Sequence, residues 1–194
     1  MQILETGLKF GSLNTRKSTK RIIIHHSASA DVPASTIHQW HLNQGWSGIG
    51  YHFVIRANGT IERGRPEDTI GSHSGPQGNG DSIGVVLTGN FEIGAPATAQ
   101  ITALASLIKD LRGRYGNLAV IGHKDVMATA CPGRNFPWAE LRKRLEEAEM
   151  WKGKIIDDAL AAGLITERHK PDETATKWFV LAVMLNFLKI VRGK

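Results

Sequence analysis

Short apolar runs separated by polar loops dominate the first two thirds of the chain. Residues 21–25 are β-branched and enter from a polar loop, a pattern typical of a strand that is buried on both faces. Residues 51–55 and 61–63 have a similar character, and they flank Asn58 and Gly59, a dipeptide that favours a hairpin turn. By the same criteria we predict further strands at 82–88 and 118–121.

Helical periodicity alternates with these strands. Residues 98–115 carry apolar side chains three and four positions apart, which predicts an amphipathic helix that ends near Gly116 and covers one face of a sheet. Residues 35–42 and 138–150 predict two further helices. We therefore expect an α/β fold with a mixed central β-sheet flanked by helices.

The last part of the chain has a different pattern, with helices predicted at 155–162 and 174–191. Residues 178–191 are nearly all apolar, but this run is shorter than the about 20 residues needed to cross a bilayer. We predict a buried or partner-facing helix and no transmembrane segment. The expected division is a main domain at 1–150 and a C-terminal two-helix segment at 151–194.

Composition adds limits on function. Apolar residues make up 41% and charged residues 22% of the 194 residues, the balance of a soluble globular protein with one main core. Subtracting 18 acidic from 24 basic side chains gives a net charge of +6, which favours a polyanionic partner. No basic cluster is interleaved with aromatic residues, so we do not predict nucleic-acid binding.

Three side chains are candidate metal ligands because each follows a predicted strand or turn. His25 follows the first buried strand, His123 follows the last, and Cys131 comes eight residues later as the single cysteine. Strand ends converge on one edge of a sheet. Two imidazoles and a thiolate suit Zn²⁺ and leave its fourth position open for water. The spacing alone also allows the alternative of two core histidines and a buried thiol.

Six short segments between about residues 20 and 145 resemble the type 2 N-acetylmuramoyl-L-alanine amidases, a family that includes bacteriophage T7 lysozyme and the peptidoglycan recognition proteins. One such segment would be a weak signal, but the six occur in the family's order. They are residues 22–28 (IIIHHSA), 48–53 (GIGYHF), 58–60 (NGT), 82–85 (SIGV), 122–126 (GHKDV) and 129–133 (TACPG).

The resemblance implies zinc-dependent hydrolysis of the amide bond between N-acetylmuramic acid and L-alanine in bacterial peptidoglycan. It implies Zn²⁺ held by His25, His123 and Cys131 in a surface groove. Tyr51 falls on the family's groove tyrosine. Thr129 falls on a second catalytic position, which is a lysine in the T7 enzyme.

Other polar residues near these segments are candidates for substrate contact or for structure. His73 matches a position on the groove rim, and Trp46 and Arg65 are further rim candidates for substrate binding. His52 follows Tyr51 on a predicted strand and faces the other side, so we expect a structural role. His38 and His41 are three residues apart on a predicted helix, and we expect both to be exposed.

The implied biology is that of a phage or prophage endolysin. The first ten residues lack the layout of a signal peptide, so we expect synthesis in the cytoplasm and action on the cell wall after release. One alternative is a non-catalytic peptidoglycan-recognition module, although relatives that only bind lack the full set of ligands. A second alternative is a regulator of a polymerase, a role known for the T7 relative.

The C-terminal segment resembles a single copy of an S-layer-homology type of motif, with a helix, a glycine, a loop containing Pro-Asp and a second helix. Such motifs commonly bind cell-wall polymers, usually in several copies. The last helix is too apolar to stay exposed, so the alternatives are a cap on the main domain or a homodimer formed through the C-terminal helices.

Overall fold

The computed structural model describes residues 1–169 and 177–191. Six strands form one sheet: β1 (Ile3–Leu4), β2 (Arg21–His26), β3 (Phe53–Ile55), β4 (Ile61–Arg63), β5 (Ser82–Leu87) and β6 (Ala119–Gly122). The helices are α1 (Ala34–Asn43), α2 (Gly75–Asn79), α3 (Thr98–Tyr115), α4 (Trp138–Ala161) and α5 (Lys177–Val191).

The strand order is β1-β4-β3-β5-β2-β6, so β2 lies between β5 and β6. Both of these neighbours run parallel to β2, and β3 runs parallel to β5. β3 and β4 form the antiparallel pair that the Asn-Gly turn predicted. The expected mixed sheet is confirmed, and the carboxyl ends of β2 and β6 meet at one edge.

The side chains at the centre of the sheet are buried. Ile22, Ile23 and Ile24 on β2 have no exposed surface, as expected for a strand covered on both faces. The predicted apolar stripe of α3 is buried along its whole length, and it consists of Ile101, Leu104, Ala105, Ile108 and Leu111. Burial of these side chains is the main source of stability for this part of the chain.

Some predicted boundaries were wrong. α4 continues to Ala161, whereas the sequence predicted one helix that ends at 150 and another that begins at 155. Gly153 costs a helix only about 1 kcal/mol, and the lysines and glutamates around it favour the helix. The region 71–80, where no helix or strand was predicted, contains the single-turn helix α2, and the two-residue β1 was not predicted either.

The chain forms two compact units, Met1–Leu141 and Arg142–Lys194, and the predicted division at 150/151 lies within α4. In the second unit α4 ends at Ala161, and Gly163, two residues later, has a positive φ of 67°, which suits a glycine that terminates a helix. The predicted start of the last helix at 174 lies outside the described residues. Within the described residues, no helix has the length and apolar character needed to cross a membrane.

α5 has contacts within its own unit. Phe179 packs edge-on against His169 with ring centroids 4.5 Å apart, and the amide of Asn186 donates to the carbonyl of Leu164 at 3.2 Å. Eight large apolar side chains of α5 are 43% to 65% exposed: Val180, Leu181, Met184, Leu185, Phe187, Leu188, Ile190 and Val191.

Wall binding or homodimer formation by residues 151–194 stays a prediction. If two chains pair through α5, the double change Leu181→Gln and Leu185→Gln should weaken self-association at least about tenfold, because buried apolar anchors carry most of the binding energy. Sedimentation velocity over a range of concentrations measures this change. Ile93→Gln, at an apolar position that is 84% exposed in the first unit, is the control. A wild-type protein that is monomeric at every concentration would rule out the dimer.

Candidate active site

His25 lies near the end of β2, at the edge of the sheet. Its ring is fully buried, and its Nδ1 atom lies 3.7 Å from the Sγ atom of Cys131. The backbone N–H of the next residue, His26, donates to the same sulfur at 3.4 Å. β2 therefore supplies one imidazole and one hydrogen bond to the thiol.

A short 3₁₀ turn, His123–Asp125, follows β6 directly and holds the second histidine. The Asp125 carboxylate accepts the backbone N–H of Gly122 at 2.7 Å, which anchors the turn. The backbone N–H of Lys124 donates to the carbonyl of Cys131 at 2.8 Å, so the turn and the cysteine loop are joined. The two segments that supply His123 and Cys131 therefore support each other.

The three predicted ligands do come together. One ligand atom from each of His25, His123 and Cys131 lies within 4.8 Å of the others. Tetrahedral zinc holds nitrogen and sulfur ligands at about 2.0–2.3 Å, so one ion fits between these atoms after small movements of the side chains. A protein ligand set of two imidazoles and one thiol leaves one position open, as in catalytic zinc sites.

The Cys131 thiol needs a neighbouring positive charge in order to ionise. Burial raises the pKa of the Cys131 thiol to about 11, and the N–H of His26 opposes this only in part. The thiol therefore keeps its proton at neutral pH unless a positive charge lies beside it. A bound metal ion would supply that charge.

Tyr51 lies just before β3, and its ring centroid is 5.0 Å from that of His25. The strand was predicted to begin at Tyr51 but begins at Phe53, although the carbonyl of Tyr51 still accepts the N–H of Arg65 at 2.8 Å. Burial, followed by the charge of Cys131, raises the pKa of Tyr51 above its usual range. The phenol therefore stays protonated near neutral pH and is a hydrogen-bond donor.

Thr129 lies on the exposed loop before the cysteine. Its Oγ1 atom accepts the backbone N–H of Cys131 at 3.3 Å. The hydroxyl therefore shapes the loop that presents the thiol, and a direct catalytic contact stays a prediction.

A cavity of about 390 Å³ lies next to the ligand cluster, a volume within the range of small-molecule sites. Tyr51, His73 and His123 contribute to its wall, together with His41, Trp46, Ser72, Ser74, Gly75, Asn79 and Met127. A second cavity of about 320 Å³ shares Trp46 and Ser72 with the first. The two form adjoining parts of a groove.

The predicted rim residues have distinct positions in this groove. Trp46 is 40% exposed and contributes to both cavities, so it is open to a ligand. Arg65 is buried, and its guanidinium donates to the carbonyls of Ile49 and Ile70, each at 2.9 Å. His73 is buried as well, with its Nδ1 atom 3.0 Å from the Nε2 atom of His25. Substrate contact by these residues stays a prediction.

His38 and His41 are buried, and the expectation that both are exposed was wrong. The Nδ1 atom of His38 accepts the backbone N–H of Ile49 at 3.1 Å, and that of His41 accepts the N–H of Gly50 at 2.9 Å. These bonds satisfy buried donors in the loop that precedes Tyr51.

His52 is buried, as its structural role required. Its Nδ1 atom accepts the N–H of Gly84 at 2.9 Å, and its Nε2 atom is 2.9 Å from the carbonyl of Thr69. A neutral ring with its proton on Nε2 satisfies both contacts.

Sequence reasoning missed several residues of the groove wall, among them Ser72, Asn79 and Met127. The sulfur of Met127 lies 3.3 Å from the Nε2 atom of His123, and this side chain is 41% exposed. Its spacing of four residues after His123 in a tight turn was a usable signal. Ser72 and Asn79 come from the loop and single-turn helix that the pattern did not resolve.

Comparison with known proteins agrees with this geometry. A family model described as N-acetylmuramoyl-L-alanine amidase matches residues 15–134. An endolysin of Klebsiella phage KP32 is 42% identical over 125 residues, which are 60% of this chain and 82% of that protein. Peptidoglycan-recognition protein SC2 of Drosophila melanogaster is 34% identical over 132 residues, 62% of this chain and 71% of that protein.

Solved structures give the same result. The N-acetylmuramoyl-L-alanine amidase LysC from Clostridium intestinale URNW has a TM-score of 0.72 and 37% identity to this chain. The match covers 75% of this chain and 98% of that one. The resemblance stated from the six segments is confirmed, and so is the fold that it implied.

The buried histidines beside the groove predict acid sensitivity. Burial, and then the charge of Arg65, lowers the pKa of His41 from 6.5 to about 4. The unfolded chain therefore binds more protons than the folded one between these values. The contribution of neutral His41 to the free energy of unfolding is therefore fully present above about pH 6.5. It is lost as the pH falls from there through 4.

We expect the free energy of unfolding to fall by roughly 2 kcal/mol through this residue between pH 7.5 and 4.5. His41→Asn keeps an acceptor for the N–H of Gly50 but cannot titrate, so its urea midpoint should fall less over this interval. An equal fall in both proteins would show that His41 does not contribute.

Proposed function

Since the chain belongs to the N-acetylmuramoyl-L-alanine amidase family, we propose that it cuts its substrate with a zinc ion held by His25, His123 and Cys131. It is an N-acetylmuramoyl-L-alanine amidase, and it hydrolyses an amide bond of bacterial peptidoglycan. The zinc dependence and the roles of individual residues are the proposed part.

The observation that carries the proposal is the convergence of the three ligand atoms beside an open cavity. The donor set is the one that zinc prefers, and it comes from three separate segments of the chain. When bound, Zn²⁺ supplies Lewis-acid polarisation of the scissile carbonyl and lowers the pKa of a water molecule at its open position.

The residues of the chain supply the remaining steps. The protonated phenol of Tyr51 donates a hydrogen bond to the carbonyl oxygen as negative charge develops there. Hydrolysis breaks the carbon–nitrogen bond, so the lactyl group ends as a carboxylate and L-alanine gains a free amino group. Thr129 contributes by holding the backbone of Cys131, since its hydroxyl accepts that N–H.

The groove is proposed to hold a glycan strand and its stem peptide. Trp46 offers an exposed aromatic face between the two cavities, which suits packing against a sugar ring or an aliphatic side chain. His73 lines the first cavity and Arg65 lines the second, and both are proposed to contact the substrate from the groove wall, where most of each side chain is buried.

The alternative of a non-catalytic recognition module is less well supported. A protein that only binds peptidoglycan has no need of two imidazoles and a thiol around one point. The full cluster beside Tyr51 therefore favours the enzyme. The proposed setting is that of an endolysin, made in the cytoplasm and active on the cell wall after release.

Zinc dependence is tested by counting new L-alanine amino termini released from purified peptidoglycan. A chelator should abolish their release, and added zinc should restore it. His123→Gln should lose at least about tenfold in zinc affinity and nearly all activity, because only two protein ligands remain.

His169→Gln is the matched control, since His169 lies in the second unit and should leave zinc stoichiometry unchanged. Undiminished release in the presence of a chelator, from protein shown to lack zinc, would contradict the metal mechanism. Binding to the wall without any new amino termini would favour the recognition module instead.

Tyr51 is tested by Tyr51→Phe, which removes only the hydroxyl. We expect kcat to fall about 10²- to 10³-fold, the effect of removing one donor to a developing oxyanion, with zinc affinity unchanged. Tyr115→Phe removes the other tyrosine hydroxyl, which bonds Glu67 at 2.7 Å on the exposed surface, and should leave kcat unchanged. Equal kcat values for the two variants would exclude Tyr51 from the chemistry.

A further inference from the structure

We propose that His73 is a positioning residue that sets the tautomer of His25, through a chain of hydrogen bonds that begins at the carbonyl of Gly78 and passes through Ser82. The chain leaves the Nδ1 atom of His25 free to bind a metal. The inference rests on the proposed zinc function and adds a reason why one nitrogen of His25 is used.

This chain of hydrogen bonds has three contacts. The Ser82 hydroxyl lies 2.5 Å from the carbonyl oxygen of Gly78 and 3.4 Å from the Nε2 atom of His73. The Nδ1 atom of His73 lies 3.0 Å from the Nε2 atom of His25. All three side chains are buried, so water does not compete for these contacts.

The donor and the acceptor of each hydrogen bond can be assigned in turn, starting from the carbonyl of Gly78. A carbonyl oxygen only accepts, so the single proton of the Ser82 hydroxyl goes to Gly78. The Ser82 oxygen must then accept, and the Nε2 atom of His73 must donate to it. A neutral imidazole has one N–H, so the Nδ1 atom of His73 is an acceptor.

The same rule determines which nitrogen of His25 holds the proton. Its Nε2 atom must donate to His73, which leaves a lone pair on Nδ1, the atom that lies 3.7 Å from the sulfur of Cys131. The reverse order would place a proton on that Nδ1 atom and aim it into the ligand cluster. Both rings are buried, where an uncompensated charge is costly, so the neutral form of each is the one considered.

The surrounding backbone is shaped around the His73 ring. A Cβ atom on Gly71 or Gly84 would lie 2.4 Å from this ring, so only glycine leaves room for it at these two positions. The side-chain oxygen of Asn79 accepts the backbone N–H of His73 at 2.9 Å and that of Ser74 at 2.8 Å. The ring therefore sits in a slot that does not allow it to turn freely.

The first test reads the tautomer directly, in protein freed of zinc. Nitrogen-15 NMR of the imidazoles should find the proton of His25 on Nε2 in the wild type. His52 is an internal reference, because its Nδ1 atom accepts the N–H of Gly84 and its proton is therefore on Nε2. A wild-type His25 with its proton on Nδ1 would overturn the proposal.

The second test compares two variants of similar size. His73→Asn can place its carbonyl oxygen close to the position of Nδ1 and accept from His25, whereas His73→Leu cannot. Competition with a chromophoric chelator should show zinc affinity within about threefold of wild type for His73→Asn and at least about tenfold weaker for His73→Leu. In His73→Leu the NMR signals should show His25 as a mixture of tautomers.

Ser82→Ala removes the hydrogen-bond partner of His73 and leaves the contact between His73 and His25 in place. The NMR spectrum should then show a mixed tautomer at His73, with a smaller loss of zinc affinity than in His73→Leu. Urea midpoints identify variants that are merely unfolded. Equal zinc affinity in folded His73→Asn and His73→Leu would overturn the proposal, whereas a wild type that binds no zinc but has the expected tautomer would count against the proposed function alone.

Discussion

The parallel pairing of β2 with β5 on one side and β6 on the other is the constraint on which the site depends. Ile24 pairs with Val85 and with Gly122, so the next residues, His25 near the end of β2 and His123 directly after β6, lie at the same edge of the sheet. A shift of one residue in this register would turn His25 to the opposite face. Burial of the three isoleucines of β2 opposes such a shift, so the hydrophobic core also fixes the register of the proposed metal ligands.

Much of this arrangement could be predicted from the sequence, because it depends on strand ends. β-Branched runs located β2 and β6, and the convergence of their carboxyl ends brought His25 and His123 together. The positions of His38 and His41 could not be predicted, since their partners are N–H groups of a loop nine and eleven residues further along the chain. Helical periodicity shows which face of α1 is apolar, but it carries no information about the path of that loop.

Histidine has a second use in this protein besides the proposed binding of a metal. The Nδ1 atoms of His26, His38, His41 and His52 each accept a backbone N–H, from Phe91, Ile49, Gly50 and Gly84 respectively. A neutral imidazole can satisfy a buried donor and still offer its own N–H elsewhere, which an aliphatic side chain cannot do. Histidine content is therefore a poor guide to ligand number, and position at a strand end is the better one.

Arg65 links two walls of the groove, since its guanidinium donates to Ile49 on one loop and to Ile70 on another. Both loops are thus ordered by folding, before any substrate arrives. A binding site assembled in this way does not lose further backbone entropy when a polymer enters it, so more of the contact free energy remains as affinity. The conformational entropy that is lost when a long, flexible polymer binds is then mainly that of the polymer and not that of the protein.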